Sequence, residues 1–128
     1  MKKLITLLAT VFVAASTFAG EFPDISVTEV KALTESKKAV FIDVNGSESF
    51  AKGRIPGALD YAAIKNNLTE ALPKDKNMLI VAYCGGPQCK AYQAAANAAQ
   101  KLGYKNIKHM SAGISGWLQA GEKTEKAN

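Results

Sequence analysis

Several things are scarce in this chain of 128 residues, and each scarcity narrows the reading. There is one histidine, and there are only two cysteines. A lone His109 beside two cysteines in one short loop does not make a zinc site, so no metal is expected. The two cysteines, Cys84 and Cys89, are five positions apart. A structural staple gains most by closing a long loop, so this pair reads as chemical rather than structural. No apolar run reaches the roughly 20 residues that span a bilayer. No block of like charge occurs, and no basic stretch is interleaved with aromatics, which argues against a nucleic-acid surface. No repeat, low-complexity stretch or linker divides the chain.

The first residues read as a secretory leader. Met1-Lys2-Lys3 is a basic start, Leu4 to Val13 is apolar, and Thr17 and Ala19 occupy the −3 and −1 positions of a cleavage site. The expected organisation is a signal peptide over residues 1–19 and one domain over 20–128, exported to a bacterial periplasm and free of the membrane after cleavage. Without Lys2 and Lys3, 14 basic residues face 11 acidic ones, a net charge of +3. A solvated basic surface is expected from this.

The remaining chain alternates helical and extended patterns. Ser26-Val27-Thr28-Glu29 has capping-box spacing and opens a helix to about Lys37. Ala39 to Val44 is a buried strand, Ser47 to Lys52 a helical turn, and Leu59 to Tyr61 a short extended piece. Ala62 to Leu72 reads as a helix stopped by Pro73. Leu79 to Tyr83 is a second buried strand, and an alanine-rich helix runs from Ala91 to Gly103. Asn106 to Met110 is a last strand, Ile114 to Ala120 a last short helix around an anchoring Trp117, and Glu122 onward a polar tail. This alternation predicts an α/β fold, a parallel sheet with helices on both faces. Ligands bind such sheets beyond the carboxyl ends of the strands, where Asp43 to Gly46 and Cys84 to Cys89 both fall.

Tyr83-Cys84-Gly85-Gly86-Pro87-Gln88-Cys89-Lys90 carries the chemistry. Cys84 follows a strand and precedes a helix, so its side chain should face backbone N–H groups of a tight loop at a helix N-terminus. That setting favours thiolate over thiol and makes Cys84 a candidate nucleophile. Gly85 and Gly86 give the backbone freedom to turn N–H groups inward.

The order of pieces resembles the rhodanese-like domain family over nearly all of the chain after the leader. Phe41-Ile42-Asp43-Val44 followed by Gly53-Arg54-Ile55-Pro56-Gly57-Ala58 is similar to the family's "IDVR … GHIPGA" signature. Gly103-Tyr104 and Ala112-Gly113-Ile114-Ser115-Gly116-Trp117 are similar to its closing "LGY/F … GGxxGW". The resemblance implies a central five-stranded parallel sheet and a sulfurtransferase that carries sulfane sulfur as a persulfide on Cys84. Gly85, Gly86, Pro87, Gln88, Cys89 and Lys90 would form the anion-binding loop, with Asp43 and Arg54 in support and no cofactor. The partners would be a small sulfur-containing donor (thiosulfate, polysulfide or a persulfide) and a thiol or cyanide acceptor, with a periplasmic redox or sulfur-acceptor protein as a further partner. The six-residue loop matches sulfur-transferring members. Related phosphatases have a longer loop ending in arginine, which is lacking here.

Three departures bear on mechanism. Asn45 replaces the family's arginine after "DV", Arg54 replaces the histidine of "GHIPGA", and Cys89 closes the loop. Fewer loop cations weaken the case for dianionic thiosulfate, with Lys90 either the remaining cation or a solvated helix residue. Arg54 either pairs structurally, for example with Asp43, or is a surface cation. Cys89 is either a resolving thiol that attacks a persulfide or sulfenate on Cys84, or a helix-start residue that never meets it. Two other functions stay open: a thiol–disulfide redox protein cycling Cys84 and Cys89, and a non-catalytic binding module. His109 reads as a packing or edge residue rather than a base.

Overall fold

The structure is a computed structural model and describes residues 22–127. The leader expected over residues 1–19 lies outside them. Among the described residues no helix is long and apolar enough to cross a membrane.

Helix α1 (Val27–Ser36) begins at Ser26, whose Oγ accepts the Glu29 N–H at 3.1 Å. This is the capping arrangement the sequence spacing predicts. Strand β1 (Ala39–Asp43) follows, then α2 (Ser47–Lys52), β2 (Leu59–Asp60), α3 (Tyr61–Ile64) and α4 (Leu68–Ala71). Strand β3 (Leu79–Tyr83), α5 (Tyr92–Lys101), β4 (Ile107–His109) and α6 (Gly113–Gln119) complete the fold. The strands form one all-parallel sheet in the order β2-β1-β3-β4.

Side-chain alternation along β3 assigns the two faces. Ile80, Ala82 and Cys84 point to one side, where they pack with Tyr92, Ala95, Ala96 and Ala99 of α5 and with Leu68 and Leu72. Val81 and Tyr83 point to the other, with Val30 of α1, Ile55, Met110 and Trp117 of α6. Alanines along α5 let that helix lie close on the sheet. Trp117 is buried and its indole N–H donates to the Lys123 carbonyl.

Two expectations need correction. Among the described residues the sheet has four strands, where five are expected. Beyond β4 the described residues add a parallel bridge between Asp24 and His109, held by Ile25 N–H to His109 O and His109 N–H to Pro23 O. Pro23 has no N–H to give, and Ser26 already caps α1, so the ladder stops after one step. The helix expected over Ala62 to Leu72 is two short ones. Asp60 caps the first through Ala62 N–H, and the Asn66-Asn67 pair, poor in helix propensity, separates it from the second. The polar tail after Glu122 packs back onto the domain. Glu125 forms an antiparallel bridge with Arg54, and Ala127 N–H donates to Ala51 O.

Candidate active site

Parallel pairing brings the two expected loops side by side. Asp43 and Tyr83 are in register at the ends of β1 and β3, and Val44 N–H donates to Tyr83 O at 3.0 Å. Asn45 therefore lies beside Gly85, where a Cβ would stand 3.5 Å from the Asn45 Oδ1.

Cys84 continues the α5-facing side of β3 and is 1% exposed. Its Sγ accepts the backbone N–H of Tyr92, the first residue of α5, at 3.1 Å. Cys84 and Cys89 are joined in a disulfide, with their Cα atoms 6.0 Å apart. The loop between them doubles back through Cys89 N–H to Gly86 O at 3.1 Å. Pro87, Gln88 and Lys90 are exposed and Cys89 is partly so. The two cysteines therefore differ: Cys84 is buried under the loop and Cys89 is partly exposed at its rim.

The first turn of α6 fixes the loop from behind. Ile114 N–H donates to Cys84 O and Ser115 N–H to Gly85 O, each at 2.9 Å. No peptide bond here is cis, so holding those carbonyls toward α6 turns the N–H groups of Gly85 and Gly86 away from it. Neither glycine has a positive φ, so the trans geometry of pinned peptides, rather than glycine's unusual dihedrals, directs the amides. The glycine that the site requires is Gly113. It has φ of +64°, and a Cβ there would stand 2.5 Å from Gly85 C and Gly86 N. Only glycine lets α6 approach the cysteine loop this closely. In the sequence Gly113 appears as part of a closing motif and carries no sign of contact with residues 28 positions earlier.

Beneath the loops lies a buried hydrogen-bond chain. Ile55 N–H donates to the Tyr83 hydroxyl at 3.1 Å, the hydroxyl donates to Asp43 Oδ2 at 2.8 Å, and Asn45 N–H donates to Asp43 Oδ1 at 2.8 Å. Burial pushes the Asp43 carboxyl above its ordinary 3.8, against the lowering effect of those donors. Burial, with the nearby Asp43 carboxylate, drives the Tyr83 phenol far above its usual value. Asp43 thus ties the ends of β1 and β3 to the Ile55-Pro56 turn, and Tyr83 is the link that sequence reading did not single out. Arg54 does not pair with Asp43, nor is it a free surface cation. It meets Glu125 at 3.6 Å, lies 4.3 Å above the Phe50 ring and is mostly covered.

His109 is buried in β4, next to Ala82, and faces α5. Its ring stacks on Tyr92 with centroids 3.4 Å apart and planes 7° from parallel. Its Nε2 is buried without a hydrogen-bond partner, and burial lowers its pKa below the ordinary 6.5, with Asp24 opposing. The stack supports the very residue whose amide meets Cys84. Among the described residues no group of three or more His, Cys, Asp or Glu could hold a metal ion.

This arrangement can stabilise an anionic sulfur on Cys84 and can cycle it with Cys89. Comparison with known proteins agrees with the fold. Residues 26–120 match the model of the rhodanese-like domain. The HTH-type transcriptional regulator Rv0324 of Mycobacterium tuberculosis is 33% identical over 118 residues, 89% of this chain, which spans only half the length of that regulator. Uncharacterized protein YibN of Escherichia coli is 30% identical over 93% of this chain and 80% of its own length. The human single-domain sulfurtransferase TSTD1 superposes with a TM-score of 0.59 at 26% identity, covering 77% of this chain and 97% of that one. With that match over most of its length, a cysteine at the carboxyl end of β3 and α6 locked behind the loop, the chain belongs to the rhodanese-like domain family.

Proposed function

We propose that this protein is a sulfurtransferase in which Cys84 accepts sulfane sulfur as a persulfide and passes it to a thiol or cyanide. The carrying observation is the Tyr92 N–H aimed at Cys84 Sγ from the start of α5. A backbone donor at a helix N-terminus lowers the free energy of a thiolate on the sulfur it meets. The Cys84 thiolate attacks the outer sulfur of the donor, the donor's S–S bond breaks, and the remainder leaves with the electron pair, a thiolate from a persulfide or sulfite from thiosulfate. The relatives include a protein described as a sulfurtransferase, which supports this class of reaction. Exposed Lys90 is the cation at the loop rim; a singly charged persulfide donor needs fewer such charges than thiosulfate does. The leader-like start supports export to a periplasm.

The test uses fully reduced protein, with a persulfide or thiosulfate as donor and excess cyanide as acceptor. Thiocyanate production that is abolished by Cys84→Ser is the expected result. No thiocyanate from any donor, with Cys84 demonstrably reduced, would refute it.

A second reading, a thiol–disulfide redox protein, is favoured by one observation, the bond between Cys84 and Cys89. It predicts a reversible two-electron couple that Cys89→Ser destroys.

A further inference from the structure

From the bond between Cys84 and Cys89 and the unequal burial of the two residues we infer that this domain reduces sulfane sulfur to hydrogen sulfide, with Cys89 as both the resolving thiol and the entry point for an external dithiol. The inference rests on the sulfurtransferase reading and joins it to the redox reading as two halves of one cycle.

In the first half, the Cys84 thiolate takes the outer sulfur of a low-molecular-weight persulfide and the donor leaves as a thiol. The Cys89 thiolate then attacks the inner sulfur of the Cys84 persulfide. A Cys84–Cys89 bond forms, the bond to the outer sulfur breaks, and that sulfur departs as HS⁻ with the electron pair and takes up a proton. Two thiols are oxidised and one sulfane sulfur is reduced. The 6.0 Å between the Cα atoms is within the span that a disulfide bridges, so the step needs no displacement of β3 or α5.

In the second half, the disulfide is reopened by a dithiol of the thioredoxin-like class. An incoming thiolate must approach the sulfur it attacks in line with the S–S bond. While it is bonded to Cys89, Cys84 is 1% exposed beneath the loop and shielded from an incoming thiolate, whereas Cys89 lies at the rim between exposed Gln88 and Lys90. The partner therefore attacks Cys89, and Cys84 leaves. Its thiolate departs into the hydrogen bond from Tyr92 N–H, which makes it the better leaving group of the two. The partner's second thiol then frees Cys89. In sum, a persulfide and a dithiol become a thiol, hydrogen sulfide and a disulfide. With its Sγ bonded to Cys89, Cys84 offers no thiolate, so the disulfide form cannot load sulfur and the cycle advances only as reductant is supplied.

The experiment treats reduced protein, freed of reductant and kept anaerobic, with an equimolar amount of glutathione persulfide. Sulfide, free thiols and intact mass are read together, with Cys84→Ser as background. Wild type is expected to release one sulfide per chain, lose both thiols and finish at the disulfide mass. Cys89→Ser is expected to stop at a gain of one sulfur atom on Cys84 and release no sulfide above background. Wild type that holds the added sulfur stably while Cys89 stays titratable overturns the inference and leaves the sulfurtransferase reading standing. Failure of both proteins to gain or release sulfur overturns both. The entry point is read separately: oxidised protein is treated briefly with glutathione, acid-quenched and fragmented. The mixed disulfide is expected on Cys89, and its appearance on Cys84 refutes that assignment.

Discussion

Replacing Tyr83 by phenylalanine removes one oxygen atom and leaves the aromatic ring in place, so it isolates the buried chain beneath the cysteine loop. The hydroxyl both donates to Asp43 Oδ2 at 2.8 Å and accepts from Ile55 N–H at 3.1 Å. Tyr83 and Ile55 are fully buried and Asp43 is 1% exposed, so water does not substitute. A hydrogen bond to a carboxylate contributes about 2 kcal/mol, and an orphaned buried amide costs at least about 1 kcal/mol, so the loss should be about 3 kcal/mol. The penalty should also depend on pH. The Tyr83 hydroxyl is one of the donors that hold the Asp43 carboxyl down against burial, so the variant's Asp43 titrates higher still. An aspartate whose folded pKa is raised adds stability below its unfolded pKa, and that contribution is lost as pH rises through the folded value. Tyr83→Phe should therefore be more damaging near neutrality than at about pH 4. Urea unfolding of both proteins at the two pH values measures this directly. A loss below about 1 kcal/mol that is the same at both would show that the chain is not a structural lock.

Three further outcomes are expected. Gly113→Ala places a methyl 2.5 Å from the Gly85–Gly86 peptide in a left-handed backbone conformation, and should cost about 2–4 kcal/mol and lower sulfur transfer more than any exposed loop substitution does; paired denaturation and thiocyanate assays check it. His109, held below 6.5 by burial, contributes stability that is complete above pH 6.5 and is lost as pH falls through its lower folded value, because the unfolded chain takes the proton first. His109→Phe keeps the stack on Tyr92 and should flatten the melting temperature between about pH 7 and pH 5 relative to wild type; equal slopes would contradict the assignment. Arg54→Met should cost less than about 1 kcal/mol in a denaturant titration, since the half-exposed Glu125 partner is screened by water and the methionine still covers Phe50.

Much of the fold follows from local pattern. The apolar runs Ala39 to Val44 and Leu79 to Tyr83 are too short for helices and too apolar for exposed strands, so parallel burial is their outcome. The same pattern sets Cys84 between strand and helix, because strand alternation and helix start are both local properties. The breaks in the expected helix at Asn66-Asn67 and in the edge ladder at Pro23 have local causes too, visible in residue type once the geometry is known.

Other features depend on which distant segments meet. The sequence by itself determined the α/β architecture, the place of Cys84 at the carboxyl end of a strand, and a loop short enough to bring Cys89 back to it. Tertiary structure alone decided that Tyr83 bridges Asp43 to Ile55, that Arg54 meets Glu125 rather than Asp43, and that Gly113 must lack a side chain. It also decided which cysteine is covered. The reason is physical: propensity and periodicity act over a few neighbouring residues, whereas hydrogen-bond partners, burial and close approach are fixed by packing between segments tens of residues apart.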